Sequence, residues 1–326
     1  WMPYWAKQRS TEYTSLWSEA LSLNSMQNDD KNPRTLAPAA TLILTRQHTG
    51  ELQVYLIRRS LKSGFMAGNY VFPGGRVDPE DRNFKIWQPR VDLDRSGITQ
   101  KLGGDLTAVE ALAYGVAAIR EALEEAGVFL GHRYESNPDD LKRICQLRLT
   151  ADLPPGWFQK LAVSENWTLT VSSLSRWSHW ITPERMKRRY DTRFFVATMP
   201  SGQVCRPDGR ETTHGFWISP EKGLAGNLTG KIPLSPPTLI TLHELLQYAS
   251  LQDLAKETEG RLWGEALLPR MIPLDKGAVI VEPWDPLYSH TNIEIDPVGL
   301  RKAVLPIGQP FSRIWHHQGI WRPVGN

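Results

Sequence analysis

Apolar positions cluster early in the chain into two short β-branched and aliphatic runs, "ATLILTR" (40–46) and "LQVYLIRRS" (52–60). "QHTGE" (47–51) separates them, so the pair reads as a hairpin or meander. A Gly/Pro-rich stretch follows, "SGFMAGNYVFPGGRVDPED", with a short strand "NYVF" inside it. From Arg82 to Asp105 the pattern has no period and many charges, which predicts a surface insertion. A strong helix comes next. Thr107 and Glu110 form a capping box, T-A-V-E, and Val109, Leu112, Val116, Ile119 and Leu123 recur at steps of three and four. Gly127 supplies the C′ stop.

Beyond that helix, "DDLKRICQLRL" and "PGWFQKLAV" predict short helices, and "YDTRFFVATM" and "ETTHGFWISP" predict strands, the second running into a helix start, "SPEKGLA". "SPPTLITLHELLQYASLQDLAKE" opens on prolines suited to a helix N-terminus and keeps apolar spacing over most of its length. After Gly260 the pattern returns to strands ("GAVIVEPW") and ends in an aromatic tail, "FSRIWHHQGIW". Strands and helices mix without βαβ regularity, which favours an α+β or mixed-sheet sandwich over a doubly wound fold.

Composition narrows the function classes only a little. A chain of 326 residues with 40% hydrophobic content can bury one large core or two modest ones. Lys plus Arg number 38 against 35 Asp plus Glu, a net charge of +3, too slight to argue for nucleic acid or a membrane surface. Cys145 and Cys205 are far apart and offer neither a disulfide framework nor metal-ligand spacing. No apolar run approaches the roughly 20 residues that span a bilayer. The chain opens on Trp1 rather than Met, which implies a start upstream, and residues 1–34 lack the apolar run of a secretory signal. Its end, "PVGN", is not the S-K-L address. The expectation is a cytoplasmic protein, with peroxisome and mitochondrion left open.

The chemistry concentrates in "AAIREALEEAGVF". Glu121, Glu124 and Glu125 stand at i, i+3 and i+4, on one helix face opposite the Val109–Leu123 stripe. A bare "EALEE" is commonly a solvated face with Arg120 as charge relief. These acids also crowd the last turns, where the macrodipole disfavours negative charge, so a cation would relieve both problems. Hard divalent cations take several carboxylate oxygens, and Mg²⁺ is usually held by one or two carboxylates plus substrate phosphates.

"FPGGRVDPED" and "REALEEAGV" together resemble the Nudix box, G-x5-E-x7-R-E-U-x-E-E-x-G-U, where U is aliphatic. Gly75 opens the motif, Asp81 stands where the first Glu belongs, and Arg120, Glu121, Glu124, Glu125 and Gly127 fill the second half. Two departures are plain: Asp replaces Glu, and 38 residues separate Asp81 from Arg120 where the motif has seven. The resemblance implies a Nudix fold, a mixed β-sheet sandwiched between helices, with a long insertion inside the box at about 82–106. It further implies an N-terminal extension (1–36), a hydrolase domain (37–258) and a C-terminal appendage (259–326). It implies Mg²⁺ or Mn²⁺ as cofactor, with Glu124 and Glu125 as the first metal ligands and Glu121 as a ligand or general base. Arg120 then orients a carboxylate. Glu211, six residues before Trp217 in "W-I-S-P", is placed to add a further catalytic carboxylate.

Upstream, "RRSLKSGFMAGNYVFPGG" resembles the coenzyme-A-associated signature of one Nudix branch, the CoA diphosphatases of animal peroxisomes and their bacterial relatives. Arg59, Ser60, Gly68, Phe72, Pro73, Gly74 and Gly75 match it, and Gly64 stands where the signature has a second Arg. The implied substrate is CoA or acyl-CoA, cleaved to 3′,5′-ADP and (acyl-)4′-phosphopantetheine. Arg58, Arg59 and Lys62 form a basic cluster able to receive the 3′-phosphate. Ser60 is a candidate turn cap, and Gly74 and Gly75 allow close backbone approach to the helix or to phosphate. ADP-ribose, NADH or another nucleoside diphosphate derivative is the alternative substrate. A non-catalytic Nudix-fold module that binds a nucleotide or a protein is the alternative of another class, and RNA decapping predicts a basic groove that a charge of +3 hardly supplies.

Other residues carry weaker expectations. "RMKRRY" (185–190) reads as a basic loop beside the site, Trp177 and Trp180 as core or pocket wall, and Trp87 as a candidate contact for adenine or pantetheine. His316 and His317 read as packing or solvent-facing, and His214 beside Glu211 predicts little. The tail after Gly260 is open to three uses: a partner surface, a lid or a homodimer contact.

Overall fold

The structure is a computed structural model that describes residues 36–61, 66–133, 138–149 and 153–325. The expected N-terminal extension, Lys62 and Gly64 lie outside the described residues, except Leu36 at the extension's end. The first sheet comprises β1 (Ala37–His48), β2 (Glu51–Arg59), β3 (Tyr70–Val71), β4 (Gly74–Arg76), β7 (Ser175–Ile181), β8 (Tyr190–Thr198) and β9 (Thr212–Ile218). Between β4 and β7 a small ribbon forms from β5 (Gly131–His132) and β6 (Thr168–Leu169). The main order is β3-β2-β1-β8-β7, with β4 also on β1 and β9 also on β2. β1 and β8 run parallel, whereas β2 and β4 pair antiparallel with β1, so the sheet is mixed. The β1–β2 turn places Thr49 at φ 48° and Gly50 at φ 82°, the left-handed pair that suits the twist of a two-residue hairpin.

Alternation along the strands divides two cores. Leu42, Leu44, Tyr55, Ile57, Phe195 and Ala197 face one, while Ile43, Val54, Leu56, Phe194 and Val196 face the other. Because both faces are covered, these strands read as nearly continuous apolar runs rather than alternating ones. On the first face lies a helix, Ala108–Glu121; on the second lie Pro220–Leu228 and Pro236–Leu245. A mixed sheet between helices is the α+β sandwich the sequence predicts.

The helices are α1 (Phe84–Trp87), α2 (Arg95–Ile98), α3 (Ala108–Glu121), α4 (Pro138–Leu147), α5 (Trp157–Ser164), α6 (Pro220–Leu228), α7 (Pro236–Leu245) and α8 (Leu251–Thr258). The predicted capping box of α3 is present in full: Thr107 Oγ1 accepts from Glu110 N–H, and the Glu110 carboxylate accepts from Thr107 N–H. The single helix expected over 235–257 is two, α7 and α8, with a break at 246–250. No single helix among the described residues is long and apolar enough to cross a membrane.

The insertion corrects the sequence reading. Residues 84–103 form α1, a tight turn at Gln88–Arg90, α2 and a wider π-helical turn at Thr99–Gly103, and they bury Trp87, Ile98 and Leu102 completely. These side chains join the same core as α3, so the outer face of that helix is covered and every residue from Ala111 to Arg120 is buried. A helix apolar all round is a buried helix. Trp87 donates from Nε1 to the Glu80 carbonyl at 2.9 Å and faces no cavity, which removes it as a contact for adenine or pantetheine.

After α8 the chain lays Leu267 against the β7 edge, with Leu267 N–H donating to His179 O and Ile181 N–H to Leu267 O. It then forms an antiparallel meander, β10 (Arg270–Leu274), β11 (Gly277–Val281), β12 (Arg313–His317) and β13 (Ile320–Val324). Ile280, Ile314 and Trp321 from this second sheet share a core with Ile43 and Leu239 of the first unit. His316 packs there, its imidazole pushed down to about 4 by burial, and His317 stacks on Trp315 at 4.4 Å.

Candidate active site

The split box closes in space. Arg120 Nε and Nη2 reach the Asp81 carboxylate at 2.9–3.2 Å, across the whole insertion, and Nη2 also donates to Arg76 O at 2.7 Å. Its Nη1 holds Glu121 Oε1 at 2.8 Å and Glu124 Oε2 at 2.9 Å. Asp81 is 2% exposed and Arg120 6%. The acid in the motif's first-Glu position is therefore a buried clamp for the arginine, and Arg120 is a positioning residue that reaches no substrate cavity. Burial is the largest influence on Asp81 and pushes its carboxyl up against the pull of Arg120.

Gly74 and Gly75 perform different tasks. Gly74 pairs with Thr41 of β1, and a Cβ on it would stand 2.5 Å from Ala40 O. Its N–H donates to Glu125 Oε2 at 2.8 Å. A Cβ on Gly75 would meet Glu121 Oε1 at 2.4 Å. Only a residue without a side chain lets the β4 strand lie against both glutamates.

The glutamates straddle a change in helix form. Glu121 ends α3, and Ala122–Ala126 widen into a π-helical turn that Gly127, at φ 69°, terminates. Such turns recur at functional sites because they re-aim side chains. Glu121 and Glu125 line a cavity of about 890 Å³, together with Thr41, Arg59, Gly74, Gly75, Asp78 and Glu211. Burial, followed by Arg120 acting in opposition, leaves Glu121 pushed up to about 7. Burial and then the Glu121 charge drive Glu125 upward too, with Arg59 at 3.9 Å pulling the other way. Five carboxylates (Asp78, Asp81, Glu121, Glu124, Glu125) stand against two guanidiniums (Arg120, Arg59), so acids outnumber bases in a largely buried setting.

That excess and its all-oxygen donor set suit one hard divalent cation. Glu121, Glu125 and Glu211 are the residues that could hold it. Among the described residues no group of three or more His, Cys, Asp or Glu side chains is arranged to hold a metal as it stands. Two carboxylates with substrate phosphates suffice for Mg²⁺-like coordination, so the residues present fit such an ion.

Other expected positions sort themselves by strand parity. Arg59 lines the cavity, but Arg58, one residue away on β2, points to the other side, where its Nε donates to Gly68 O and its guanidinium lies 5.9 Å from the Tyr70 ring. Arg58 is thus outside the cavity, against the expectation of a shared basic cluster. Ser60 N–H donates to Glu211 O at 2.8 Å and so anchors the loop that presents Glu211. Gly68, at φ +76°, makes the turn whose carbonyl Arg58 caps, and Phe72 lines the cavity while 3% exposed. Glu124, expected as a first metal ligand, does not line the cavity; Arg120 and Trp157 Nε1, at 2.7 Å, occupy its two oxygens. Trp180 lines the cavity and Trp177 is fully buried, whereas His214 lies exposed against Phe216. Sequence spacing missed Asp78 and Trp157, whose roles depend on loops that carry no periodic signal.

Residues 32–245 match the family model described as the NUDT19 Nudix domain. Acyl-coenzyme A diphosphatase NUDT19 of Homo sapiens is 31% identical over 303 residues, spanning 80% of this chain and 80% of the human protein. The chain belongs to the Nudix hydrolase family. The Xenopus laevis protein of the same name is 27% identical over 279 residues, covering 74% of this chain and 73% of the frog protein. A Nudix hydrolase crystal structure from Alicyclobacillus acidocaldarius superposes with a TM-score of 0.55 at 21% identity, covering 72% of this chain and all of the other, which supports the shared fold. The two halves of the box meet across a folded insertion, where Asp81 clamps Arg120.

Proposed function

We propose that the protein is a metal-dependent pyrophosphohydrolase that cleaves the diphosphate of CoA or acyl-CoA to 3′,5′-ADP and (acyl-)4′-phosphopantetheine. The observation that carries this reading is the shared wall of Glu121 and Glu125 on a cavity that is polar at one part and apolar at another. Met66, Phe72, Trp180, Phe194 and Pro237 line the apolar part, which suits a pantetheine arm and an acyl chain. The relatives named as acyl-coenzyme A diphosphatases support the same substrate class.

A divalent cation, when bound, supplies the charge that neutralises phosphate oxygens and the Lewis acidity that lowers the pKa of a water. Glu121 and Glu125 would hold it from the helix side and Glu211 from the loop before β9. Arg120 and the Gly74 N–H fix the two helix carboxylates, so their geometry does not have to be assembled during turnover. Arg59, 3.9 Å from Glu125, is placed to meet a phosphate oxygen.

Product analysis by mass spectrometry tests this. Purified protein meets CoA, acetyl-CoA, ADP-ribose, NADH and a capped RNA, each with Mg²⁺ or Mn²⁺ and with EDTA. Release of 3′,5′-ADP from the CoA substrates, lost in EDTA, is the expected result. Turnover of ADP-ribose or NADH alone would keep the chemistry and discard the substrate.

A further inference from the structure

Beyond the acidic wall, the cavity has a basic rim that the box does not explain. Lys187, Arg188 and Arg189 all line it, from the connection between β7 and β8. The connection is built rather than loose. Thr182 N–H donates to Tyr190 O at 2.9 Å, Tyr190 N–H to Thr182 Oγ1 at 3.0 Å, and Arg189 Nε to Thr182 O at 3.1 Å. Met186 buries its side chain in the second core, 2% exposed, and the Ala37 N–H donates to Arg189 O at 3.0 Å. The loop's charges divide between two hollows: Glu184 and Arg185 line a neighbouring one with Arg270, and residues 187–189 line the cavity.

Strand β1 measures the separation. Ala37 pairs with Tyr190, next to Arg189, and Ala40 pairs with Gly75, against Glu121. Three residues of extended chain span about 10 Å. A diphosphate placed at Glu121 and Glu125 therefore leaves the Arg189 backbone about one nucleoside's reach away along β1. A CoA nucleotide carries one more anion at that scale, the 3′-phosphate, a near-dianion at neutral pH like other phosphomonoesters. Guanidinium and ammonium groups are suited to receive it.

We propose that Lys187, Arg188 and Arg189 form the 3′-phosphate subsite that lets this protein distinguish CoA from dephospho-CoA. The inference rests on the CoA reading above and deepens it: substrate choice would be set by a loop outside the box, while Arg58, expected in this role, faces away.

The test compares kcat/KM for CoA and dephospho-CoA in the wild type, in a Lys187→Ala/Arg188→Ala variant and in a charge-keeping Lys187→Arg/Arg188→Lys variant. Arg189 is left in place because its Nε also closes the loop. The expected result is a wild-type preference for CoA that falls by roughly tenfold to a hundredfold in the alanine variant and is largely retained in the charge-keeping one. Equal losses on both substrates, leaving the ratio unchanged, would overturn the subsite. If the wild type cleaves neither substrate, the CoA reading fails by itself, and calorimetry with 3′,5′-ADP and 5′-AMP decides the loop. Tighter 3′,5′-ADP binding that the alanine variant erases upholds it; equal wild-type affinities for the two nucleotides reject it.

Discussion

The two charged parts of the cavity are built on opposite physical terms. The acidic wall stands on α3 and its π-helical turn, with Glu125 5% exposed and Arg120 behind it 6% exposed. The basic rim stands on a connection whose Lys187 and Arg188 are exposed. Buried charge is expensive unless paired and hydrogen-bonded, so each acid on the wall is fixed by an arginine or a backbone N–H. Exposed charge costs little and is screened by salt, and the rim is carried on an anchored backbone. The wall is therefore suited to chemistry that depends on sub-ångström placement, and the rim to attracting and sorting anionic substrates.

This contrast can be broken most forcefully at Arg120. Arg120→Met leaves Asp81, Glu121 and Glu124 without their shared cation and is expected to cost about 3–5 kcal/mol of stability in denaturant unfolding. The Lys187→Ala/Arg188→Ala variant is expected to stay within about 0.5 kcal/mol of the wild type in the same experiment. Comparable losses would mean that the rim is as structural as the wall.

A buried acid away from the cavity sharpens the point. Glu244 is 4% exposed, accepts from Trp177 Nε1 at 3.1 Å, and is pushed up to about 7 chiefly by burial. Its folded-state pKa lies above the unfolded value, so the native state binds more protons between about pH 4.5 and 7 and stability falls as pH rises through that window. Glu244→Gln removes the cost while keeping an acceptor. Thermal and denaturant melts are expected to show a gain on the order of 2–3 kcal/mol at pH 8 and almost none at pH 4. A pH-independent change would contradict the assignment.

Smaller effects separate the paired glycines. Gly74→Ala meets the β1 backbone, which cannot give way, and Gly75→Ala meets the Glu121 carboxylate. Each is expected to cost about 1–3 kcal/mol, the first appearing mainly in stability and the second mainly in kcat. The smallest effect is ionic. Raising salt from 50 to 200 mM should increase the KM for CoA a few-fold with little change in kcat, because the rim is screened and the wall is not. A fall in kcat of the same size would place the salt-sensitive groups in the wall.

The same contrast explains how much was legible beforehand. The capping box at Thr107, the R-E-x-x-E-E spacing and the apolar strands follow from local periodicity and identity, and they correspond to the wall and its supports. Parity along β2 would have separated Arg58 from Arg59, had the strand's inward face been known. Glu124 looked equivalent to Glu125 because helical spacing cannot say which oxygens Trp157 will occupy. The insertion looked like surface because its buried Trp87, Ile98 and Leu102 stand among charged and turn-forming residues that break any sustained period. The basic loop was read from composition as lying beside the site, and the parallel pairing of β1 with β8 is what brings residues 187–189 to the cavity.

The most direct test of the account is the Glu125→Gln variant, measured for both melting temperature and CoA hydrolysis with saturating Mg²⁺ or Mn²⁺. Loss of one buried, upward-shifted carboxylate should leave the melting temperature at or above that of the wild type while kcat falls on the order of a thousandfold. A variant that melts normally and keeps kcat within tenfold of the wild type would show that the Glu121–Glu125 wall is not the catalytic centre.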